Sequence, residues 1–149
     1  MEERPLLELK NLQVSYGGVE AVHGLNLSVG RGELVTVLGA NGAGKSTTLM
    51  AISGLVRPSG GEIHFNGRRI DVLRSHEVVE LGVTQAPEGR RVFGPMTVEE
   101  NLKLGAFTRK GQNVVPDLER VYDLFPRLFE RKGQMAGTLS GGEQQMLAI

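Results

Sequence analysis

The sequence of 149 residues contains no cysteine, carries no formal net charge and has no long hydrophobic run. Without cysteine there is neither a disulfide framework nor a thiolate metal site, which is compatible with a reducing compartment. The zero net charge argues against a general nucleic-acid-binding surface, because such a surface must neutralise phosphates. No apolar run approaches the roughly 20 residues that a helix needs to cross a bilayer. The charged N-terminus also lacks the apolar centre of a signal peptide.

Glycine, by contrast, is abundant at 21 residues, and several glycines fall in one motif. The pattern G-x-x-x-x-G-K-[ST] of a phosphate-binding P-loop is fitted by Gly39, Ala40, Asn41, Gly42, Ala43, Gly44, Lys45, Ser46 and Thr47. The apolar residues 33–38 before the motif predict a buried strand, and Leu49 and Ile52 predict a helix that ends at Gly54. The alternative is a plain glycine-rich turn, which the correctly placed lysine and serine disfavour.

These residue types favour a di- or triphosphate as the ligand. Glycines let backbone amides point at phosphate oxygens, and the following helix adds the positive end of its dipole. Lys45 would place a positive charge at the terminal phosphates. The Ser46 hydroxyl would ligate a Mg²⁺ ion that bridges phosphate oxygens.

An antiparallel sheet is predicted around this motif. Apolar alternation predicts strands over 6–14, 25–29 and 62–67, with turns at Gly17-Gly18 and Asn66-Gly67. A helix over 72–81 and a short strand over 82–86 follow.

The remaining residues predict helices. Thr97 and Glu100 have the spacing of a capping box that begins a helix reaching Phe107. The apolar stripe over 117–129 predicts a helix that faces a core and is divided at Pro126.

A second capping box is formed by Ser140 and Glu143, with Gly141 and Gly142 between them. The glycines leave the first amides of the predicted helix open to an anion, so this helix start is a candidate second phosphate site. On the motif alone, a capped helix without any ligand is an equal alternative. The P-loop in the same chain favours the phosphate site.

Together the motifs resemble those of ABC ATPases, the nucleotide-binding subunits of ABC transporters. The segment Leu139–Gln144 is similar to the family's signature motif, and Tyr16 stands where the family stacks an aromatic ring on adenine. The resemblance implies an α/β P-loop NTPase core with an N-terminal antiparallel β subdomain and a helical subdomain. It divides one incomplete domain into a β subdomain and P-loop core at 1–96, and a helical subdomain and signature at 97–149.

Residues 39–45, 86–93, 96–102 and 140–149 look like one group, the ATP-binding subunits of bacterial branched-chain amino-acid importers. Most ABC ATPases have a glutamine in the loop before the helical subdomain. The spacing assigns this position to Glu88, with Gln85 as a nearby decoy, and glutamate there is familiar in the branched-chain group. The resemblance implies that Glu88 contacts Mg²⁺ or water, which makes Lys45 and Glu88 the catalytic residues present.

The resemblance also implies ATP as ligand and two ATPase subunits, identical or different, that face head to tail. One subunit supplies Tyr16, the P-loop and Glu88, and the other supplies residues 140–143, including Gly141 and Gly142. Membrane permease subunits and, indirectly, a periplasmic or extracellular solute-binding protein would complete an importer. The subunit would then lie peripherally on the cytoplasmic face of the inner (plasma) membrane, without a nucleic-acid partner. Urea and amide importers use similar subunits.

After the signature, the family continues into an apolar strand that ends in Asp-Glu, and later a histidine. The sequence has no Asp-Glu pair after the signature. It also has no histidine there, because His23, His64 and His76 all precede the signature. The sequence is therefore expected to be a C-terminally truncated copy. Alone it should be poorly stable, expose an apolar edge and face at 34–38, and hydrolyse ATP negligibly.

Other classes of protein fit less well. The Ser140 element and the absence of an N-K-x-D motif argue against a GTPase or kinase. Neutral charge and a compact helical subdomain without a coiled-coil insert argue against an ABC ATPase of DNA repair or translation. The sequence leaves one alternative open, a module that binds ATP without hydrolysing it, because the Asp-Glu pair is absent from the sequence.

Overall fold

The computed structural model describes residues 4–109 and 111–149, which form two compact units. The first unit ends at Thr84 and the second begins at Gln85. The elements of the first are β1 Leu7–Tyr16, β2 Val19–Val29, α1 Lys45–Ile52, β3 Gly60–Phe65, β4 Arg68–Arg69 and α2 Ser75–Glu80. Those of the second are α3 Val98–Gly105, α4 Val115–Leu124, α5 Pro126–Glu130, a 3₁₀ turn Ala136–Thr138 and α6 Gly141–Ala148.

The first unit contains an antiparallel sheet, which confirms that prediction, and the order of its strands is β2-β1-β3-β4. The β1–β2 turn uses Gly17 and Gly18 at φ 54° and 88°, and the β3–β4 turn uses Asn66 and Gly67 at φ 50° and 78°. Two consecutive positive φ angles twist a two-residue turn in the same sense as its strands. Both predicted turns are therefore confirmed.

Helix α1 follows the P-loop and contacts both β1 and β2. The core of this unit consists of apolar side chains that are at most 6% exposed: Leu9, Leu12, Val14, Val22, Ala51, Ile63, Ile70 and Val78. Each large side chain buried in this way contributes about 1.5–3 kcal/mol to stability. The core thus holds α1 against the sheet, through Ala51 in its last turn.

The buried strand predicted over 33–38 is wrong. No strand forms there, and Leu34 and Leu38 are 93% and 87% exposed. A strand needs a hydrogen-bonded neighbour, and no strand in the described part of the chain pairs with this segment. The predicted exposure of apolar side chains at 34–38 is confirmed, but the strand edge predicted with it does not form. The short strand predicted over 82–86 is wrong for the same reason, and the helix predicted before it shortens to α2.

The second unit is helical and has its own core of Val98, Leu128, Ala136, Leu139 and Leu147. Helix α4 ends at Leu124 and α5 begins at Pro126, which confirms the predicted division. Leu128 is fully buried, but Leu124 and Phe129 are 66% and 52% exposed. The prediction that the whole apolar stripe faces a core is therefore only partly correct.

The loop before α3 is bound to the helical unit through its backbone. Ala136 N donates to Met96 O at 2.9 Å, and Gly137 N donates to Gly94 O at 3.1 Å. The Asn101 side chain accepts from Phe93 N at 2.8 Å and donates to Phe93 O at 3.1 Å. The compact units accordingly divide at 84/85, whereas the subdomain boundary at 96/97 stays a prediction. Across the described ranges, no helix has the length and apolar character of a bilayer-spanning segment.

Candidate nucleotide site

The P-loop begins α1 through a glycine with left-handed backbone geometry. Gly44 is the N-cap residue of α1 at φ 84°, and Gly42 has φ 85°. A Cβ atom at Gly44 would lie 2.4 Å from the Ala21 carbonyl oxygen, which is closer than atoms can approach. Only glycine fits this position without moving the sheet.

The Lys45 side chain folds over its own loop. Its Nζ donates to the carbonyl oxygens of Gly39 at 2.8 Å and Ala40 at 2.7 Å. Behind it, the buried Thr48 hydroxyl donates to Gly44 O at 2.9 Å. The ammonium group is therefore held beside the first turn of α1, where the helix dipole favours an anion.

The residues predicted to contact magnesium and adenine, Ser46 and Tyr16, lie in different elements of the first unit. Ser46 is exposed in the first turn of α1. Among the described residues there is no cluster of three or more His, Cys, Asp or Glu that could hold a metal ion alone. A single hydroxyl fits Mg²⁺, which keeps waters and takes most other ligands from phosphates. Tyr16, at the end of β1, is 46% exposed, so its ring is accessible to a base. Glu88 is exposed in a turn of the second unit.

The signature segment forms the predicted capping box at the start of α6. Ser140 N donates to Glu143 Oε2 at 2.8 Å, and Glu143 N donates to Ser140 Oγ at 3.4 Å. Of the hydrogen bonds within the described ranges, none is donated by the amides of Gly141 or Gly142. The helix start thus presents two amides beside a hydroxyl, which is a geometry suited to a phosphate group.

Side chains from the rest of the helical unit fasten this helix start. Arg131 Nε lies 2.9 Å from Glu143 Oε1, although its N–H is not aligned for a hydrogen bond. Gln144 Nε2 donates to Leu139 O at 3.2 Å and Ala136 O at 3.3 Å. The hydrogen bonds from Ser140, with smaller contributions from the charges of Arg131 and Arg127, lower the pKa of Glu143 below its ordinary 4.5.

This lowered pKa predicts acid sensitivity of the helical unit. Because the folded state prefers the ionised Glu143, its contribution to stability is present above pH 4.5 and is lost as the pH falls below that value. A Glu143→Gln variant should therefore show a smaller loss of urea midpoint between pH 6 and pH 3 than the unsubstituted chain. Glu119→Gln, on the exposed side of α4, is the matched control. Equal pH dependence in the Glu143 variant and the parent would contradict the role given to this carboxylate.

A Ser140→Ala substitution tests the cap itself. Loss of an N-cap hydroxyl costs about 1 kcal/mol, so the urea midpoint of the chain should fall correspondingly. ATP affinity of the isolated chain should stay unchanged, because Lys45 and the P-loop amides lie in the other unit. Thr97→Ala, which removes the equivalent cap of α3, is the control for stability. A large loss of ATP affinity in the isolated Ser140 variant would contradict this assignment.

Several contacts that shape the site are not indicated by the sequence motifs. Asn101 fixes the loop before α3, Arg131 and Gln144 fasten α6, and the Arg90 guanidinium lies against Gly141. Arg90 and Arg131 contact α6 from other segments of the chain. Asn101 and Gln144 contact backbone five to eight residues away, through side-chain positions that the sequence pattern does not specify. The adjacent arginines at 90 and 91, in a glycine turn, are the only signal available from sequence.

A protein-family model described as ABC transporter matches residues 22–149. The chain is 44% identical over 144 residues to the high-affinity branched-chain amino acid transport ATP-binding protein BraG of Pseudomonas aeruginosa. That alignment covers 97% of this chain and 62% of BraG, so the chain spans about three fifths of the length of this curated relative.

The chain is also similar to solved structures of ATP-binding subunits and cassettes. The ATP-binding subunit of an ABC transporter superposes with a TM-score of 0.78 at 32% identity, covering 96% of this chain and 59% of that one. A dimeric ATP-binding cassette in a post-hydrolysis state, bound to ADP and phosphate, superposes with a TM-score of 0.78 at 25% identity. The latter alignment covers 95% of this chain and 66% of the cassette.

Proposed function

The chain belongs to the ABC transporter family, and from this we propose that it is part of an ATP-binding subunit that powers import of branched-chain amino acids. The observation that carries the proposal is the presence, in one chain, of a glycine-capped P-loop and a serine-capped helix start with two open amides. GTPases and kinases need only the first element. The identity to BraG supports the choice of solute.

In the proposed mechanism, ATP is held between two subunits. The P-loop residues 39–47 and Lys45 of one subunit bind the phosphates, and Tyr16 stacks on adenine. The amides of Gly141 and Gly142 and the Ser140 hydroxyl of the other subunit contact the terminal phosphate. Because the two sets of donors belong to different subunits, both can bind the same ATP molecule only when the pair is closed. The dimeric relative bound to ADP and phosphate is consistent with such an arrangement.

Magnesium would be held by Ser46, the phosphate oxygens and water, with Glu88 as a further oxygen ligand. When bound, the ion neutralises charge on the phosphate oxygens and thereby assists transfer to water. Lys45 orients the terminal phosphates, and Glu88 positions water. The complete protein is proposed to be an ATP hydrolase, with its general base in the part of the family sequence that follows the signature.

The membrane permease is proposed to contact a groove within the second unit. The groove has a volume of about 220 Å³ and is lined by the Glu88-containing loop and by α3 and α6, including Arg91, Phe93, Leu104 and Leu147. Phe93 and Leu104 are 56% and 39% exposed, so an apolar segment of a partner could cover them. Closure of the ATPase pair would move this loop, and the movement would be transmitted to the permease as a conformational change. The subunit would then lie at the cytoplasmic face of the inner membrane, and a solute-binding protein would act on the outer side.

Solute uptake by the source cells tests this proposal. A chromosomal Lys45→Ala allele should abolish uptake of radiolabelled leucine, isoleucine and valine, while a Lys10→Ala allele should not. Lys10 is an exposed lysine that pairs with Glu8 outside the P-loop. Loss of urea or amide uptake instead would assign the subunit to a related importer. Unchanged uptake of all these solutes would contradict a role in their import.

A further inference from the structure

The sequence contains two Asn-Gly pairs, Asn41-Gly42 in the P-loop and Asn66-Gly67 in the turn between β3 and β4. In such a pair, the backbone nitrogen of the glycine can attack the side-chain carbonyl carbon of the asparagine and close a five-membered succinimide ring. Glycine favours the attack because it has no Cβ atom to restrict the backbone. Both asparagines are exposed, so the contacts that restrain each pair determine which of them reacts.

The pair at 66–67 is restrained on both sides of its turn. Asn66 Oδ1 accepts a hydrogen bond from Arg31 Nη2 at 2.7 Å, and Asn66 N donates to Leu6 O at 2.7 Å. The pairing of β3 with β4 on either side of the turn fixes the backbone further. For the ring to close, the Asn66 side chain must leave Arg31 and reach Gly67 N against these restraints.

The pair at 41–42 is held by much less. One backbone hydrogen bond, from Ala43 N to Ala40 O at 3.2 Å, closes the turn that contains both residues. Of the hydrogen bonds within residues 4–109 and 111–149, none is made by the Asn41 side chain or donated by Gly42 N. A Cβ atom built on Gly42 would meet no described atom within 4 Å, so the space beside this turn is open. The asparagine side chain and the nitrogen that attacks it are therefore both available.

We infer that Asn41 is a site of spontaneous modification when no nucleotide is bound. Gly42 N forms a bond to Asn41 Cγ and gives up its proton, while the bond from Cγ to Nδ2 breaks and Nδ2 leaves as ammonia with that proton. Water then opens the succinimide. Cleavage between Cγ and Gly42 N leaves aspartate, whereas cleavage between the backbone carbonyl carbon and Gly42 N leaves isoaspartate, whose main chain runs through Cγ. Both products carry a carboxylate where the parent has a neutral amide.

The consequence for ATP binding rests on the function proposed above. In an occupied P-loop the backbone amides donate to phosphate oxygens, so Gly42 N keeps its proton and cannot attack. Bound Mg²⁺-ATP therefore protects Asn41. Once formed, a carboxylate at position 41 repels the phosphates. Chains left without nucleotide would thus accumulate a form that binds ATP weakly.

Peptide mapping by mass spectrometry follows both pairs in the same chain during incubation in a mildly alkaline buffer. Without nucleotide, Asn41 should convert about tenfold faster than Asn66, because the Asn66 amide must first leave a charged hydrogen-bond donor. Arg31→Ala, which removes that donor, should accelerate conversion at Asn66 and leave the rate at Asn41 unchanged. Conversion at Asn41 that is no faster than at Asn66 in the parent would overturn the inference.

Adding nucleotide to the same incubation tests the protection. Mg²⁺-ATP should slow conversion at Asn41 and leave Asn66 unaffected, with Mg²⁺ alone as the control. If calorimetry shows that the parent binds ATP but conversion at Asn41 is not slowed, protection by phosphate contacts is overturned and the proposed function stands. If the parent binds no ATP, the proposed function fails, and faster conversion at Asn41 than at Asn66 still supports the modification site.

Calorimetry of variants tests the effect of the new carboxylate. Asn41→Asp should bind Mg²⁺-ATP about 10–100-fold more weakly than the parent, because the added negative charge faces the phosphates. The parent should lose ATP affinity during incubation without nucleotide, whereas Asn41→Gln should keep the affinity that it had before incubation, since glutamine would have to close a larger ring. Equal ATP affinity of Asn41→Asp and the parent would overturn the loss of binding assigned to the modification.

Discussion

Replacing Lys45 with alanine is expected to weaken Mg²⁺-ATP binding by about 100–1,000-fold. Hydrogen bonds to charged groups contribute about 1.5–3 kcal/mol each, and the ammonium would contact two terminal phosphates. Each 1.4 kcal/mol corresponds to a tenfold change in affinity. Since Nζ already lies over the loop through Gly39 O and Ala40 O, it can exchange these carbonyls for phosphate oxygens without moving the helix. Isothermal titration calorimetry measures the change directly.

The control for this experiment is Lys10→Ala, which removes another exposed lysine from the first unit. It should bind ATP with the affinity of the parent. Far-UV circular dichroism of the Lys45 variant should match that of the parent, because Lys45 makes no core contact. Equal ATP affinity of the Lys45 variant and the parent would contradict the P-loop assignment.

Replacing Gly44 with alanine is expected to destabilise the first unit by about 2–4 kcal/mol. A left-handed backbone costs a residue with a Cβ atom about 1–2 kcal/mol. The new methyl would also lie 2.4 Å from the Ala21 carbonyl oxygen and 3.1 Å from Val22 Cγ2, so β2 or α1 must move. Urea unfolding measures the loss of stability, and the displaced helix start should bind ATP poorly.

Gly42→Ala is a matched control because it has the same backbone geometry in open space. Its φ is 85°, against 84° at Gly44, but a Cβ atom there would meet nothing within 4 Å. It should therefore cost only about 1–2 kcal/mol, the backbone term alone. Equal destabilisation by the two variants would show that the contact with Ala21 is not what requires glycine at position 44.

Local signals predict most of the fold correctly. The turns at Gly17-Gly18 and Asn66-Gly67 need positive φ angles, which glycine and asparagine adopt readily, so the hairpins can be predicted from those residues. The caps at Thr97 and Ser140 are determined by side chains three residues apart. In each case the residues that make the structure are neighbours in sequence.

Prediction fails where a structure depends on a distant partner. The apolar residues at 33–38 have the composition of a strand, but a strand also needs a neighbour to pair with. The exposed Leu124 shows the same dependence for a helix, because its periodicity predicts a buried face without identifying what covers it. Burial is thus determined by tertiary structure that the local pattern does not contain.

The same distinction applies to the candidate site. The P-loop and signature motifs are contiguous, so their residues can be named from sequence, and the structure gives both the expected helix starts. Arg131 and Arg90 reach the signature helix from other segments of the chain. Their contribution depends on the packing of the helical unit, which no spacing rule predicts.

We propose that ATP is held between the P-loop of one subunit and the signature helix of another. Mixing Lys45→Ala and Ser140→Ala chains tests it most directly, because such a pair retains one intact P-loop opposite one intact signature. Sedimentation velocity with Mg²⁺-ATP should show association of the unsubstituted chain and of the mixture, but little association of either variant alone. Association of the unsubstituted chain without recovery in the mixture would contradict a site shared between subunits.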